Sequence, residues 1–276
     1  MSKCRANWCQ ACSKALIGLL FWAAAGPGWA GGTYSFGVLN QQSAVATAAL
    51  WNPILQYVHS KTGIALRLKM GTTVQETDAM TARGEFDFLY SNHNFDPQYD
   101  ATHYLPLAQW GGSPLVGQIV VAADSPVKTL ADLEDKPVAF PSRDAFAAYQ
   151  VTATALKQAK VTVIPVFGAN QLGTAAMLQT GRADAASLNK SFSDKFQAEH
   201  NLRWRVIYQS APWPNIPVQA NPRVSKRDAD AVQRALLEMS ADPEGSALLK
   251  TLAIPGFLPV KDADYDATRR LYKEEF

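Results

Sequence analysis

Short strand-like segments alternate with helix-like segments from residue 33 onward. Residues 33–39 and 64–69 carry apolar side chains at strand spacing, and residues 86–90 form a short apolar run. Helices are predicted between them, from about Ser43 to Lys61 and from Thr73 to Gly84. A strand that is followed by a helix and then by another strand of the same sheet runs parallel to it. This β-α-β-α-β order therefore predicts an α/β fold with a parallel sheet and helices on its faces.

Local signals mark the ends of these first two helices. Ser43 is a suitable N-cap, and Thr73 with Glu76 forms the pattern of a capping box. Pro53 falls inside the first helix, where a proline removes a hydrogen bond. The sequence predicts that this helix is kinked or divided there.

A second set of strands and helices follows, and it has its own apolar segments for a separate core. Its predicted strands and helices cover residues 115–123, 130–133, 137–140, 145–160, 161–167, 171–180 and 203–208. The remainder of the chain is predicted to be helical, over residues 225–240, from Asp242-Pro243 onward, and over about 263–273. The chain is thus expected to form two α/β units.

The first 30 residues have the composition of an export signal. Lys3, Arg5 and Lys14 precede the apolar run Ala15–Ala25, and the small-x-small triplet Gly28-Trp29-Ala30 follows. The apolar run is too short to span a bilayer, which needs about 20 apolar residues. We expect cleavage after Ala30 and a protein that is exported to the periplasm, with an uncleaved N-terminal anchor as the alternative.

All three cysteines, Cys4, Cys9 and Cys12, lie in this leader. A chain cut after Ala30 keeps no thiol, and it can form neither a disulfide nor a thiolate metal site. The histidines show no metal-ligand spacing, so neither a metal nor another cofactor is expected.

Charge argues against a nucleic-acid partner. The formal net charge is +2, and the leader holds three basic residues and no acidic one, so residues 31–276 carry 23 basic and 24 acidic residues, or −1. Binding to nucleic acid requires a basic face that displaces counterions.

The chain also lacks the glycine-rich, serine-elbow and His-Glu-x-x-His motifs of common enzymes, so no catalytic residue is assigned and a binding protein is expected.

Several local strings, taken in order, resemble the phosphonate-type family of periplasmic substrate-binding proteins, the soluble receptors of ABC importers. The resemblance covers about residues 33–245. The strings that carry it are residues 34–39 with Gln41-Gln42, residues 84–90, Ser125-Pro126 with residues 130–133, residues 138–142, and residues 181–184.

The resemblance implies a two-lobed fold of the type II periplasmic-binding-protein class, with two crossover strands between the lobes and a ligand in the cleft. Lobe 1 would consist of residues 31–118 and 216–276, and lobe 2 of residues 119–215. The crossovers would lie near 119–122 and 211–220.

Ligands of open parallel sheets bind beyond the carboxyl ends of strands, close to helix N-termini. Gln41 and Gln42 follow the first strand and offer neutral amides. Tyr90 and Asn92 follow the third strand and match a tyrosine and an asparagine of the resembled family. His93, close to them, is either a ligand contact or a surface histidine.

In the second lobe, the resembled family carries a turn rich in Ser and Thr, where this chain has Ser142, Arg143 and Asp144. Arg143 either binds an oxyanion or points to solvent, and Asp144 either repels an anion or caps the helix. Many relatives have a His-acid pair where this chain has Asn170 and Gln171.

Two further positions bear on the cleft. Asn189 matches a polar position of the family. Trp213 lies in the stiff segment 211–215, and it lines the cleft mouth or packs at the hinge. The expected ligand contacts are therefore Gln41, Gln42, Tyr90, Asn92, Ser142, Arg143, Asn170 and Asn189.

The sequence leaves two uses of this fold open. The resemblance implies a protein that captures a small phosphonate-, phosphite- or phosphate-like oxyanion for the membrane permease of an ABC importer. We expect this protein to be a monomer. The alternative is a sensor that reports its ligand to a membrane histidine kinase. A periplasmic module without a ligand is a third possibility.

Overall fold

A computed structural model describes residues 33–40 and 43–275. The predicted leader with its cysteines, and the expected ligand contacts Gln41 and Gln42, lie outside the described residues. None of the helices within residues 43–275 has the length and apolar content that crossing a membrane requires.

The described residues contain eleven strands. In chain order they are β1 (Thr33–Val38), β2 (Ala65–Lys69), β3 (Phe88–Tyr90), β4 (Leu105–Trp110), β5 (Gly117–Ala122), β6 (Pro137–Phe140), β7 (Ile164–Phe167), β8 (Ala185–Asn189), β9 (Trp204–Gln209), β10 (Pro217–Ala220) and β11 (Phe257–Pro259).

The same residues contain eight α-helices: α1 (Ala44–Thr62), α2 (Val74–Ala82), α3 (Thr152–Gln158), α4 (Gln171–Gln179), α5 (Lys190–Glu199), α6 (Lys226–Glu238), α7 (Pro243–Leu252) and α8 (Asp266–Glu275). A π-helical turn, Phe146–Val151, leads into α3, and short 3-10 turns occupy His93–Phe95, Pro97–Thr102, Ala131–Leu133 and Asp262–Tyr265.

The first sheet has six strands in the order β11-β4-β10-β3-β1-β2. Strand β1 pairs in parallel with β2 and with β3, so the parallel arrangement predicted from the alternating pattern is confirmed. Strand β10 lies between β3 and β4 and is antiparallel to both. The end of the chain thus completes a sheet that the beginning of the chain starts.

The second sheet has five strands in the order β7-β6-β8-β5-β9. Strand β6 pairs in parallel with β7 and β8, whereas β5 is antiparallel to β8 and β9. The two sheets give the two α/β lobes expected from the sequence.

The first passage between the sheets comes earlier than expected. Residues 119–122 lie inside β5 and are not a crossover, because this apolar run pairs on both sides with β8 and β9. The chain passes between the sheets at residues 111–116 and returns at residues 210–216. Leu115 and Trp213 join the two passages by backbone hydrogen bonds of 3.0 and 2.8 Å, one in each direction.

Helix α1 begins where its cap was predicted but is not divided. The Ser43 hydroxyl accepts a hydrogen bond from the Ala46 amide, and Gly63 ends the helix with φ at 72°. Pro53 lies inside this continuous 19-residue helix. Of the two outcomes predicted for Pro53, division into two pieces is wrong, since packing of the apolar face of α1 offsets the one hydrogen bond that a proline removes. A kink at Pro53 stays a prediction.

Each sheet has its own core. Phe36, Trp51, Ile54 and Phe88 are almost fully buried in the first core. Ile119, Leu133 and Phe140 are among the residues that fill the second.

A third apolar cluster includes residues from both lobes and from the C-terminal helix. Phe95 of the first lobe stacks on Tyr265 with ring centroids 4.5 Å apart. Phe146 of the second lobe packs against Trp213 and Tyr272 at 5.3 and 5.9 Å. The C-terminal segment therefore contacts both lobes beside the passages.

A carboxylate holds β1, the start of β3 and the end of β10 together. Asp87 Oδ2 accepts hydrogen bonds from the Ser35 amide and hydroxyl at 2.8 and 2.7 Å, and Oδ1 accepts one from Arg223 Nε at 2.7 Å. Burial alone raises the pKa of Asp87, but the hydrogen bonds from Ser35 and the Arg223 guanidinium outweigh it, so the pKa lies below its usual range.

We expect Asp87→Asn to lower the free energy of unfolding at pH 7 by about 2 kcal/mol, because charge-assisted hydrogen bonds are lost. A depressed folded pKa stabilises the protein fully above the pKa of the unfolded chain, which is about 3.9, and that contribution disappears as the pH falls through the folded value. The difference between wild type and variant should therefore shrink below about pH 4.

Urea unfolding between pH 3 and pH 8 measures this difference. Asp124→Asn is the matched control, since Asp124 is exposed and should change stability little at any pH. If the free energy of unfolding of Asp87→Asn stays below that of wild type by a constant amount down to pH 3, the assigned role of the carboxylate is contradicted.

Candidate functional site

A cavity of about 390 Å³ lies between the two sheets, next to both passages. Its walls come from the carboxyl ends of β1 and β3, helix α1, the end of β4, the passages and the start of α5. The residues that line it are Val38, Leu39, Thr47, Leu50, Trp51, Tyr90, Trp110, Gly111, Gly112, Ser113, Pro114, Leu115, Ser191, Asn215, Ile216 and Pro255. Ligands of parallel sheets bind at such strand ends.

Three aromatic rings form the floor of this cavity. The Trp51 ring centroid lies 4.7 Å from that of Tyr90 and 6.0 Å from that of Trp110, and Tyr90 and Trp110 are 5.7 Å apart. Tilted rings at these distances pack well. The floor is therefore apolar and fixed by its own packing.

The floor also contains a polar group, the Tyr90 hydroxyl. It forms no hydrogen bond with any other described residue, although the side chain is only 7% exposed. Burial raises the pKa of Tyr90 well above its usual value, so the hydroxyl keeps its proton at neutral pH. It is available to donate a hydrogen bond to a molecule in the cavity.

The remaining polar groups of the wall are neutral. Hydroxyls come from Thr47, Ser113 and Ser191, while the Asn215 amide is occupied by backbone atoms of Ser113 and Ile216. Among the described lining residues, no side chain carries a charge. The cavity can thus bind an anion by hydrogen bonds but supplies no fixed countercharge.

The first amide of α5, that of Lys190, donates to the Val116 carbonyl oxygen at 2.8 Å, and the amides that follow it at the helix start add to this set of donors. Ser191 is the second residue of the helix, and the side chain of the N-cap residue Asn189 forms no capping hydrogen bond. The first amide groups of a helix have no partner inside it and carry partial positive charge. A helix start beside the cavity favours a negatively charged ligand.

Of the residues expected from the sequence, Tyr90 lines the cavity. Asn92 follows it two residues later and is buried, with no side-chain hydrogen bond to the described residues. His93 is half-buried, and its Nδ1 lies 3.2 Å from the Asp78 carboxylate. The His93 ring is thus held by a partner in the same lobe.

The other expected contacts lie together along one edge of the second sheet. Ser142 and Arg143 follow β6, Asn170 follows β7, and Asn189 ends β8; since these three strands are parallel, their carboxyl ends share an edge. None of these four residues lines the cavity itself.

Two of these four side chains have partners in their own lobe. Arg143 Nη1 donates to the Tyr149 hydroxyl at 3.0 Å, and the guanidinium lies 5.2 Å from the Phe167 ring centroid. Asn170 accepts a hydrogen bond from the Gly173 amide and caps α4.

Neither Asp144 nor Trp213 lines this cavity. Asp144 is one of the acidic residues near Tyr99 and Tyr272, whose pKa values are raised mainly by burial and further by these carboxylates. Trp213 packs against Phe146 and does not line the cavity, which agrees with packing at the hinge.

Several residues that line the cavity were not predicted from the sequence. Trp51 and Thr47 lie on the inner face of α1, and Trp110 ends a strand that was not predicted. Ser191 had a usable signal, because it lies two residues beyond Asn189, which ends β8. It was missed because helix α5 was not predicted.

Comparison with known proteins identifies the family. The family described as "ABC transporter, phosphonate, periplasmic substrate-binding protein" matches residues 36–265. No curated protein sequence matches the chain.

Solved structures share the fold at low sequence identity. One is a Prochlorococcus marinus protein in complex with methylphosphonate, with 12% identity, a TM-score of 0.74, and coverage of 88% of this chain and 97% of that chain. Another is a binding protein component of an ABC phosphonate transporter from Pseudomonas aeruginosa, with 15% identity, a TM-score of 0.70, and coverage of 87% and 85%. A third, from Xanthomonas citri with ATP bound, has 16% identity, a TM-score of 0.73, and coverage of 87% and 96%.

The family match spans both lobes and the cavity between them. The resemblance first noted in short strings of sequence is confirmed along most of the chain, and so is the type II fold with two lobes. This chain belongs to the phosphonate family of periplasmic substrate-binding proteins of ABC transporters.

Proposed function

We propose that this chain captures a small phosphorus oxyanion with a short apolar substituent, such as methylphosphonate, in the cavity between its lobes. The observation that carries this proposal is the lining of the cavity. An aromatic floor accepts the apolar substituent, while the Tyr90 hydroxyl, other neutral donors and the start of α5 face the oxygens.

Neutral donors are sufficient to bind an anion in such a site. Hydrogen bonds to an ionised group contribute more than those between neutral groups, and helix N-termini are common anion sites. A wall without basic side chains also avoids the cost of burying an additional charge when the ligand is absent. The methylphosphonate bound by the Prochlorococcus relative is of this ligand class.

The remaining expected contacts would complete the site when the lobes close. Hinge closure around the ligand would turn the edge that carries Ser142, Arg143, Asn170 and Asn189 toward Tyr90 and Asn92. Gln41 and Gln42, which follow β1, would approach from the first lobe. We place the lobe boundaries at the two passages, residues 111–116 and 210–216.

The partner that follows from this function is the permease of an ABC importer, which receives the ligand from a monomeric binding protein. Transfer of a signal to a histidine kinase, the alternative from sequence, has no observation in its favour. We therefore propose transport.

The ligand is tested by thermal unfolding of the purified protein with methylphosphonate, phosphite, phosphate, sulfate, arsenite or acetate. A ligand at about 100 times its dissociation constant adds about 2.7 kcal/mol to the free energy of unfolding. For a protein of this size that raises Tm by about 5–10 °C. We expect this shift with methylphosphonate and a smaller one with acetate.

Which of the six compounds raise Tm decides between ligand classes. Stabilisation by sulfate or a carboxylate alone would show that the site takes a different anion. No stabilisation by any of the six compounds would contradict an oxyanion-binding function.

The role of Tyr90 is tested by Tyr90→Phe, which removes only the hydroxyl. Because this hydroxyl has no partner among the described residues, Tm without ligand should stay within about 1 °C of wild type. Affinity for methylphosphonate, measured by titration calorimetry, should fall about tenfold, since one hydrogen bond to an anion is lost.

Tyr104→Phe is the matched control for this variant. The buried Tyr104 hydroxyl donates to the Phe86 carbonyl oxygen at 2.8 Å and lies away from the cavity. This substitution should lower Tm and leave affinity unchanged. Equal affinity of Tyr90→Phe and wild type would exclude the Tyr90 hydroxyl as a ligand contact.

We also propose that the chain is exported by its leader and cut after Ala30. N-terminal sequencing of the protein recovered from the periplasm of an expressing cell should then begin at Gly31. A protein that keeps its leader and sediments with membranes would support an uncleaved anchor instead.

A further inference from the structure

A second cavity, of about 330 Å³, lies outside the interlobe cleft. It is bounded by one face of α3, by the end of β9 with the return passage, and by one face of α8. The lining residues are Val151, Thr154, Ala155, Gln158, Tyr208, Ser210, Ala211, Trp213, Ala267, Arg270 and Leu271. None of them lines the first cavity. Its size is at the lower end of the range for small-molecule pockets.

Two polar atoms of its lining residues are buried without a partner. Thr154 Oγ1 and Trp213 Nε1 are shielded from solvent and form no hydrogen bond within the described part of the chain. Thr154 as a whole is only 7% exposed. An unpaired buried donor destabilises a protein by about 1–3 kcal/mol, so native structures pair nearly all such groups. A bound molecule would supply the missing acceptors once a local movement of the wall exposes these two atoms to the cavity.

Charge on the wall points to the kind of molecule. Helix α8 carries two adjacent arginines with different surroundings. Arg269 is occupied by Asp262 and Asp266 and lies over the Phe95 ring. Arg270 lines the cavity, is exposed, and has no ion pair among the described residues. A guanidinium can bind a carboxylate in a bidentate manner.

The rest of the wall is largely apolar. Val151, Ala155, Ala267 and Leu271 contribute aliphatic surface, and the Tyr208 and Trp213 rings contribute aromatic surface. Such a wall suits a hydrocarbon body and not a second charged group, because Arg270 is the only ionised side chain among these lining residues.

We propose that this cavity is a second binding site, separate from the interlobe cleft, for a small organic monoanion with an apolar body. Arg270 binds the acid group, and the hydroxyl of Thr154 and the indole N–H of Trp213 donate to the same ligand after local adjustment of the wall. The aliphatic and aromatic side chains enclose the apolar body.

Benzoate is a suitable probe, because it combines one carboxylate with a flat apolar ring. We would titrate benzoate into the ¹⁵N-labelled protein and follow the indole N–H signal of Trp213, assigned with Trp213→Phe. We expect saturable binding that shifts this signal. Methylphosphonate at saturation should not displace benzoate.

Three variants test the assignment. Arg270→Gln should weaken benzoate binding at least tenfold, whereas Arg234→Gln, a matched change at an exposed arginine of α6, should leave it unchanged. Ala267→Phe, which fills the cavity from α8, should abolish binding. Arg270→Gln and Ala267→Phe should both keep the wild-type Tm shift with methylphosphonate, which separates this site from the proposed ligand cleft.

Three results would overturn the proposal: no benzoate binding to the wild type, equal binding by Arg270→Gln and wild type, or displacement of benzoate by methylphosphonate. The last would place benzoate in the interlobe cleft. A failure of methylphosphonate to bind at all would count against the proposed function alone, because benzoate binding is measured independently.

Discussion

Close packing around Trp51 ties the candidate site to the core of the first lobe. The Trp51 ring lies 4.7–6.3 Å from the rings of Phe36, Tyr90, Trp110 and Phe257. These partners come from β1, β3, β4 and β11, so the contacts of one side chain reach four strands. Because interiors pack at crystal-like density, none of these rings can move without the others. The position of the Tyr90 hydroxyl in the cavity is therefore set by the same contacts that stabilise the lobe.

Arg143 and His93 are held away from the cavity by partners within their own lobe. The Arg143 guanidinium lies on the aromatic rings of Tyr149 and Phe167, and the His93 ring contacts the Asp78 carboxylate. What remains at the cavity wall is hydroxyl and backbone donors. A site of this kind distinguishes ligands by the number and direction of hydrogen bonds and by the shape of the apolar part, more than by net charge.

The sequence was most informative where structure depends on local pattern. Strands β1, β2 and β3 alternate with two well-capped helices, and their parallel pairing follows from that order alone. Strands β4, β10 and β11 contain Pro106, Pro217 and Pro259, which argue locally against a strand. They become strands because pairing partners far away in the sequence are available.

The candidate site shows the same difference between features that local sequence sets and features that distant partners set. Tyr90 could be predicted because it ends a recognisable strand and matches a family position. Trp51 and Ser191 are 140 positions apart and meet in one cavity only through the arrangement of the two lobes. No local pattern in either segment indicates that they share a wall, and the partners that hold Arg143 could not be inferred from its neighbours in sequence.

The central place of β10 in the first sheet also affects when the protein can fold. Strands β3 and β4 are consecutive in the chain, yet they do not pair with each other, because Pro217–Ala220 lies between them. The sheet therefore lacks an inner strand until 220 of 276 residues have been synthesised. Contacts between distant segments form slowly. For a protein of the periplasm, this delay keeps the first lobe of the emerging chain open until most of the sequence has been synthesised.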